Sequence, residues 1–249
     1  MDSWENHLLA GLAVLFIGLS KAGFGGGLGM LTTPLCALAF PPRDALGMLL
    51  PLLCAGDAFS LYYYWRKWEP HNLWHLLPGV VPGVILGAQW VGRFSARELN
   101  VAIGLIAVGF VLYQVGRDRI LRVEGAFRPN LWIGFPFGLA AGLTSTFAHG
   151  AGPVVSMFLV PQRLPKEVYV GTTALVFTWI NWIKVPFYVA NGVITPHTLG
   201  QSLLYLPLVP LGVWLGVKLN RRFSETLFSR IVLATIFLTG LQLIFEFRF

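Results

Sequence analysis

Glycine residues that interrupt apolar stretches are the part of this chain best suited to chemistry. One run extends from Gly23 to Gly29, and a second, thinner run extends from His149 to Pro153. Glycine lets an anion approach the backbone closely, and a helix that begins at such a break directs free N–H groups and the positive end of its dipole toward it. We therefore predict that an anionic substrate contacts the backbone of six glycines: Gly25, Gly26, Gly27, Gly29, Gly150 and Gly152.

Polar side chains adjoin both breaks. Lys21 precedes the first break by one turn, and a lysine inside a membrane costs about 2.5–3.5 kcal/mol on insertion scales, so it needs a partner or a role. Its two open roles are attraction of the substrate and snorkelling toward the surface. Thr144, Ser145 and Thr146 offer hydroxyl donors beside the second break. His149 titrates near neutral pH, which fits either the carrier of a coupling proton or a simple helix cap.

Three further polar residues lie inside predicted apolar spans. Asp57 aligns with Asn181, 124 residues later, and Asn181 and Lys184 share one helix face because they are three residues apart. These residues predict a buried Asp57–Lys184 ion pair that joins two spans. The alternative is a functional role, in which Asp57 takes up a proton or Lys184 contacts the substrate.

The two breaks belong to a longer internal repeat. Each is followed by a turn of one pattern, Pro42-Arg43-Asp44 and then Pro165-Lys166-Glu167, and Gly83-x-x-x-Gly87 recurs as Gly212-x-x-x-Gly216. Duplicated apolar spans that are interrupted at matching places are typical of secondary transporters. The alternative, that the glycines only permit close helix packing, applies to the GxxxG series at 79–87 and 134–142.

The composition places the chain in a membrane. It is 55% hydrophobic and 12% charged, about half the charged share of roughly 25% in soluble domains. The net charge of +7 does not indicate nucleic-acid binding, because the basic residues lie in short loops. Cys36 and Cys54 lie in apolar segments and form no C-x-x-C motif, so we interpret them as buried apolar residues.

The hydrophobic pattern predicts an all-α polytopic protein with two repeats, residues 1–118 and 131–249, joined by a cytoplasmic linker at 119–130. Each repeat contains one broken region, Leu8–Phe40 or Leu131–Val160, whose arms are short for a full crossing. Six unbroken spans complete the prediction: Leu46–Trp65, Leu73–Val91, Leu99–Val115, Val168–Val189, Leu199–Val217 and Leu227–Phe245.

Loop charges predict the orientation of these spans. If each broken region enters and leaves on one side, one face carries eleven basic residues: Arg66, Lys67, Arg117, Arg119, Arg122, Arg128, Arg163, Lys166, Lys218, Arg221 and Arg222. The opposite face then carries four: Arg43, Arg93, Arg97 and Arg248. The positive-inside rule favours this arrangement, with the eleven in the cytoplasm. Each repeat then crosses an odd number of times, so the repeats are inverted and both termini face outward.

The ordered set of motifs resembles the sulfite exporter TauE/SafE family of membrane permeases over nearly the whole chain. The resemblance rests on the glycine-rich break, the apolar arm and the Pro-basic-acidic turn, each present twice, and on the Pro82-Gly83-to-Gly87 span. It implies transport of a small anion, sulfite or an organosulfonate, across the bacterial plasma membrane. The thinner second break, with His149 and Ala151 among its glycines, departs from the family pattern.

The predicted function is therefore secondary transport of a small anion, sulfite or an organosulfonate or other organosulfur anion, in the bacterial inner membrane, coupled to a proton or sodium ion. An anion channel and a permease for a non-sulfur carboxylate are the alternatives. No triad, carboxylate pair or zinc motif indicates an enzyme, and no cofactor is expected. His71 and His75 have the i, i+4 spacing of metal ligands, but beside Trp68 and Trp74 we interpret them as part of an interfacial aromatic belt. The sequence leaves the direction of transport and the oligomeric state open.

Overall fold

The computed structural model describes residues 4–21, 28–120, 129–220 and 225–246, and these residues form helices joined by short connections. The eleven α-helices in these ranges are α1 Trp4–Lys21, α2 Thr32–Ala39, α3 Pro42–Tyr63, α4 Pro70–Arg93, α5 Ala96–Ile120, α6 Leu131–Ala148, α7 Gly152–Leu159, α8 Lys166–Ala190, α9 Pro196–Tyr205, α10 Leu208–Asn220 and α11 Glu225–Phe245. Short 3₁₀ helices precede α2 and follow α7. The predicted all-helical fold is confirmed.

Several helices match the dimensions of a lipid bilayer. Among the described residues, five segments are long and apolar enough to cross a membrane: Pro42–Tyr63, Pro70–Arg93, Ala96–Gly116, Leu131–Ala148 and Pro196–Leu215. Helix α8, with 25 residues, exceeds the roughly 20 residues that a crossing needs. Its interior carries Asn181 and Lys184, both buried, so its polar residues face protein. The chain is a polytopic membrane protein.

The first broken region folds back on itself. Helix α1 ends at Lys21, a 3₁₀ helix covers Leu28–Leu31, and α2 then runs only eight residues, from Thr32 to Ala39. The ring of His7, in the first turn of α1, lies 6.2 Å from the ring of Phe40, which ends α2. The region therefore returns to the end of the bundle where it began. Its two arms are unequal, with 18 residues in α1 and eight in α2.

The second broken region folds back in the same way. The Asn130 side chain accepts a hydrogen bond from the backbone N–H of Ile133 and caps the start of α6. Helix α7 and its 3₁₀ extension end at Gln162, whose side-chain amide donates to Asn72, 2.9 Å away at the start of α4. Helix α4 also begins beside the start of α6, since His75 packs against Gly134. Helices α6 and α7 thus begin and end at one end of the bundle.

Glycine faces hold each broken region to a helix of the other half. A Cβ added at Gly79 would lie 2.0 Å from the carbonyl oxygen of Phe135, and one added at Gly138 would lie 2.0 Å from that of Leu76. The α4 and α6 backbones therefore touch directly, as the GxxxG series predicts. Helices α1 and α10 meet similarly, because a Cβ at Gly18 would lie 2.4 Å from the carbonyl oxygen of Val209.

One predicted span differs in the structure. The segment expected as one helix over Leu199–Val217 consists of α9 and α10, which are separated at Leu206 and Pro207. Pro207 lacks the backbone N–H that would continue the hydrogen-bond ladder, so α9 ends there although Leu206 keeps helical backbone angles. Prolines do not break every helix here, since Pro51, Pro82 and others lie inside continuous helices.

A surface pair joins the loop before α4 to the start of α8. Lys67 Nζ and Glu167 Oε2 are 2.9 Å apart, and both side chains are about half exposed or more. The hydrogen bond that Lys67 donates to Glu167, and then the negative charge of that carboxylate, raise the pKa of Lys67. The pair belongs to the end of the bundle where α4, α6 and α8 begin.

The basic end of the bundle is expected to face the cytoplasm. The chain with Cys36 and Cys54 replaced by alanine accepts single cysteines at Arg163 and at Arg93, both exposed and at opposite ends. A membrane-impermeant maleimide applied to intact cells should label the Arg93→Cys protein and spare the Arg163→Cys protein, which reacts only after the membrane is opened. External labelling of Arg163→Cys would reverse the proposed orientation.

Candidate functional site

A cavity lies where the two broken regions meet. The first region contributes Lys21, Gly29 and Met30 to its wall, and the second contributes His149 and Gly152, with further residues from α3, α6 and α8. Its volume is about 40 Å³, enough for about three water molecules, each of which needs roughly 10–15 Å³ by this measure. That space suits a small ion.

The two breaks contact each other directly. A Cβ added at Gly150 would lie 3.2 Å from the sulfur of Met30, so the backbone of the second break packs on a side chain of the first. Helix α7 begins at Gly152 on the cavity wall, and the 3₁₀ helix that leads into α2 contributes Gly29. Two chain segments therefore begin a helix at the cavity, where backbone N–H groups lack partners within the helix.

Lys21 is paired at the edge of the cavity. Its ammonium contacts Oδ1 of Asp57, and the side-chain amide of Asn181 donates to Oδ2 of the same carboxylate at 2.6 Å. Asp57 is fully buried, whereas 12% of the Lys21 side chain is exposed. The ammonium also lies 5.3 Å from the centre of the Phe177 ring, within range of a cation–π interaction. The Asp57 carboxylate pairs with Lys21 on the side away from the cavity, and Lys21 itself lines the cavity.

Lys184 is surrounded by neutral acceptors. Its Nζ lies 3.0 Å from Ser145 Oγ, 3.2 Å from the Ser145 carbonyl oxygen and 2.8 Å from His149 Nδ1. These three partners match the three donors of an ammonium group. His149 Nε2 faces the Leu46 carbonyl at 3.2 Å, so Nε2 carries the proton and Nδ1 accepts from Lys184. This geometry assigns a neutral imidazole to His149, with Nδ1 as an acceptor for Lys184.

His149 also forms the end of α6. Its backbone lies in the left-handed region, with φ of 50°, a conformation that histidine tolerates better than most residues. The Gly150 N–H then bonds to the Thr144 carbonyl at 3.1 Å. The Tyr188 hydroxyl donates to the Thr146 carbonyl at 2.5 Å. Carbonyls freed at the end of α6 therefore find partners within the protein.

The three predicted hydroxyl donors are used differently. Thr144 donates to the Ala140 carbonyl at 2.8 Å, and Thr146 donates to the Gly142 carbonyl at 2.7 Å, each within its own helix. Ser145 lines the cavity, and its oxygen accepts from Lys184. Because that oxygen already accepts, the Ser145 hydroxyl proton is available to a ligand.

The structure pairs the interior charges differently from the sequence prediction. We expected Lys184 to pair with Asp57, but the carboxylate contacts Lys21 and Asn181, and Lys184 contacts Ser145 and His149. Asn181 and Lys184 do share a face of α8, as predicted. One turn along that face separates them, so Asn181 reaches α3 and Lys184 reaches the end of α6.

The predicted site residues that the structure describes lie on the cavity wall or directly behind it, apart from Thr144 and Thr146, whose hydroxyls bond within α6. The structure brings Lys21, Gly29, Ser145, His149, Gly152 and Asn181 to the cavity wall, while Gly150, Asp57 and Lys184 stand directly behind it. Gly25, Gly26 and Gly27 lie outside the described residues.

The apolar part of the wall could not be recognised from the sequence. Ile17, Leu53, Phe177 and Ile180 line the cavity, yet nothing distinguishes them from the many other apolar residues of the chain. Among the described residues, no cluster of three or more His, Cys, Asp or Glu side chains could hold a metal ion.

Comparison with known proteins assigns the chain to a family. No curated protein and no solved structure matches the chain. The sequence model of one family, described as Sulfite exporter TauE/SafE, matches residues 10–243 and so includes both broken regions and the helices that line the cavity. The chain therefore belongs to the TauE/SafE sulfite exporter family of membrane transporters.

Proposed function

We propose that this protein is a secondary transporter of small sulfur oxyanions, sulfite or an organosulfonate, in the bacterial plasma membrane. The observation that carries the proposal is the ammonium group of Lys21 on the cavity wall, where its side chain is partly exposed. Its carboxylate partner, Asp57, is fully buried behind it and does not line the cavity. An anion that enters the cavity would therefore meet the ammonium group and not the carboxylate.

Backbone and hydroxyl donors supply a second attraction. The start of α7 at Gly152 directs N–H groups and the positive end of the helix dipole toward the cavity, and Ser145 adds a hydroxyl. Backbone that leaves the helix at membrane depth is tolerated where it lines a cavity. An oxyanion with several acceptor oxygens fits this donor set, with the apolar side, including Phe177, left for a short organic group.

Inverted repeats are part of the same proposal. The first broken region opens and closes at the end of the bundle where α3 begins, and the second does so where α4 begins. Helix α3 crosses once between these ends. This arrangement supports two repeats of opposite orientation, with residues 119–130 as the linker and the substrate between the breaks.

Counterflow in proteoliposomes tests the proposal. Vesicles loaded with unlabelled sulfite should accumulate external radiolabelled sulfite with saturable kinetics, and methanesulfonate and acetate should be compared as competitors. Inhibition by the sulfonate and not by acetate supports an organosulfur substrate, and the reverse favours a carboxylate permease. Imposed proton and sodium gradients show which ion is coupled. An ohmic current without counterflow would overturn the carrier mechanism in favour of a channel.

A further inference from the structure

The Lys21–Asp57 pair is divided between the cavity and the protein interior. Lys21 lines the cavity and is partly exposed, while Asp57 is fully buried behind it and does not line the cavity. Asp57 is also the one buried carboxylate among the described residues. The ligand-free protein thus supplies its own anion to the cation that an anionic substrate would contact.

A carboxylate and a small oxyanion make the same demand on an ammonium group. Each presents acceptor oxygens with delocalised negative charge, and each prefers a charge-assisted hydrogen bond at about 2.7–2.9 Å. Lys21 has three donors but one charge. A substrate that binds Lys21 therefore weakens the attraction between Lys21 and Asp57, and the two anions repel each other as they approach.

Asp57 has a second partner that can hold it if it leaves Lys21. The Asn181 amide donates to Oδ2, the oxygen that does not contact Lys21. Asn181 lies on α8, so its amide still offers Asp57 a hydrogen bond from α8 when the carboxylate is no longer paired with Lys21.

We propose that Asp57 is an internal counter-ion that the substrate anion displaces from Lys21. This inference rests on the proposed anion transport. Asp57 is a positioning residue, since it acts through Lys21 and need not touch the substrate. Its presence lowers substrate affinity, and its return to Lys21 promotes release of the substrate. A carrier needs such a competitor because a cation that held the anion too firmly would not let it leave.

The proposal predicts that loss of the carboxylate strengthens binding. In the Asp57→Asn variant, Lys21 has no internal anion, so sulfite and methanesulfonate should bind about 10- to 100-fold more tightly, the range expected for one charged hydrogen bond. The ligand-free variant should melt at a lower temperature than the ligand-free wild type. Saturating methanesulfonate should raise the melting temperature of the variant by more than it raises that of the wild type. A structural role alone predicts weaker binding or none.

Calorimetric titration of the purified protein in nanodiscs measures the dissociation constants, and thermal unfolding of the same samples measures the melting temperatures. The matched control is Glu167→Gln, which removes the acid of the exposed Lys67–Glu167 pair without approaching the cavity. We expect its dissociation constants to equal those of the wild type. The double variant Lys21→Met/Asp57→Asn removes both charges and should fold but lose the gain in affinity, which places that gain at Lys21.

The outcomes separate this inference from the proposed function. If the wild type binds the probes and Asp57→Asn binds them equally or less tightly, the counter-ion role is wrong while anion binding stands. Binding by Asp57→Asn alone supports both, and binding by neither protein overturns both. Should the variant fail to fold, the wild type still provides a test. Methanesulfonate should change the infrared carboxylate band of the buried Asp57, and a spectrum without that change overturns the inference.

Discussion

Replacing Lys21 by methionine is expected to abolish anion counterflow and to destabilise the protein. The substitution removes the cation on the cavity wall and leaves Asp57, which is fully buried, with Asn181 as its one remaining hydrogen-bond partner in the described contacts. Removing one member of a buried ion pair costs about 3–5 kcal/mol because the other charge remains without compensation. Counterflow of sulfite and thermal unfolding in nanodiscs measure the two losses.

Two comparisons distinguish these losses from general damage. Lys166→Met makes the same change at an exposed position and should preserve both transport and melting temperature. Lys21→Met/Asp57→Asn should recover most of the melting temperature without recovering transport, because the orphaned charge is gone but the cation is still missing. Full transport by Lys21→Met would exclude Lys21 from the anion site.

Replacing Gly138 by alanine is expected to be among the most destabilising changes outside the charged cluster. The added Cβ would lie 2.0 Å from the Leu76 carbonyl oxygen, and backbone cannot move aside as a side chain can. Overpacking usually costs about 1–3 kcal/mol and occasionally more, and we expect a loss of at least about 3 kcal/mol here.

Gly109→Ala is the matched control for Gly138→Ala. Gly109 also lies inside a long helix, α5, but a Cβ there meets no atom within 4 Å. That substitution should leave stability unchanged or improve it by up to about 1 kcal/mol, the difference in helix propensity. Thermal unfolding of both variants in the same nanodiscs gives the comparison. Equal melting temperatures would mean that α4 and α6 are not in backbone contact.

The fold was readable from the sequence because lipid restricts the choices. With few charges and about 20 apolar residues needed per crossing, the helices α3, α4, α5 and α8 follow from hydrophobicity alone. The glycine series predicted close packing but not the partners, since GxxxG says only that some backbone approaches. That α6 packs on α4 and α10 on α1 depends on the arrangement of all the helices.

The site was predicted in position and not in its pairings. Lys21, Ser145 and His149 were recognisable because polar residues beside glycine breaks are unusual in an apolar chain. The partner of Asp57 was not recognisable, because Lys21 and Lys184 are both lysines inside apolar segments and the sequence does not show which one lies closer to Asp57. Only the rotation of α8, which turns Asn181 toward α3 and Lys184 toward α6, decides between them.

The contacts between α1 and α10 and between α4 and α6 constrain the order of assembly during synthesis. Helix α1 leaves the ribosome before the other described helices, while the helix that covers its glycine face does not begin until Leu208. Lys21 and its glycine-rich surroundings must therefore stay in or near the translocon, or against lipid, while the rest of the chain is made. The first half reaches its native packing only after the second half has been inserted.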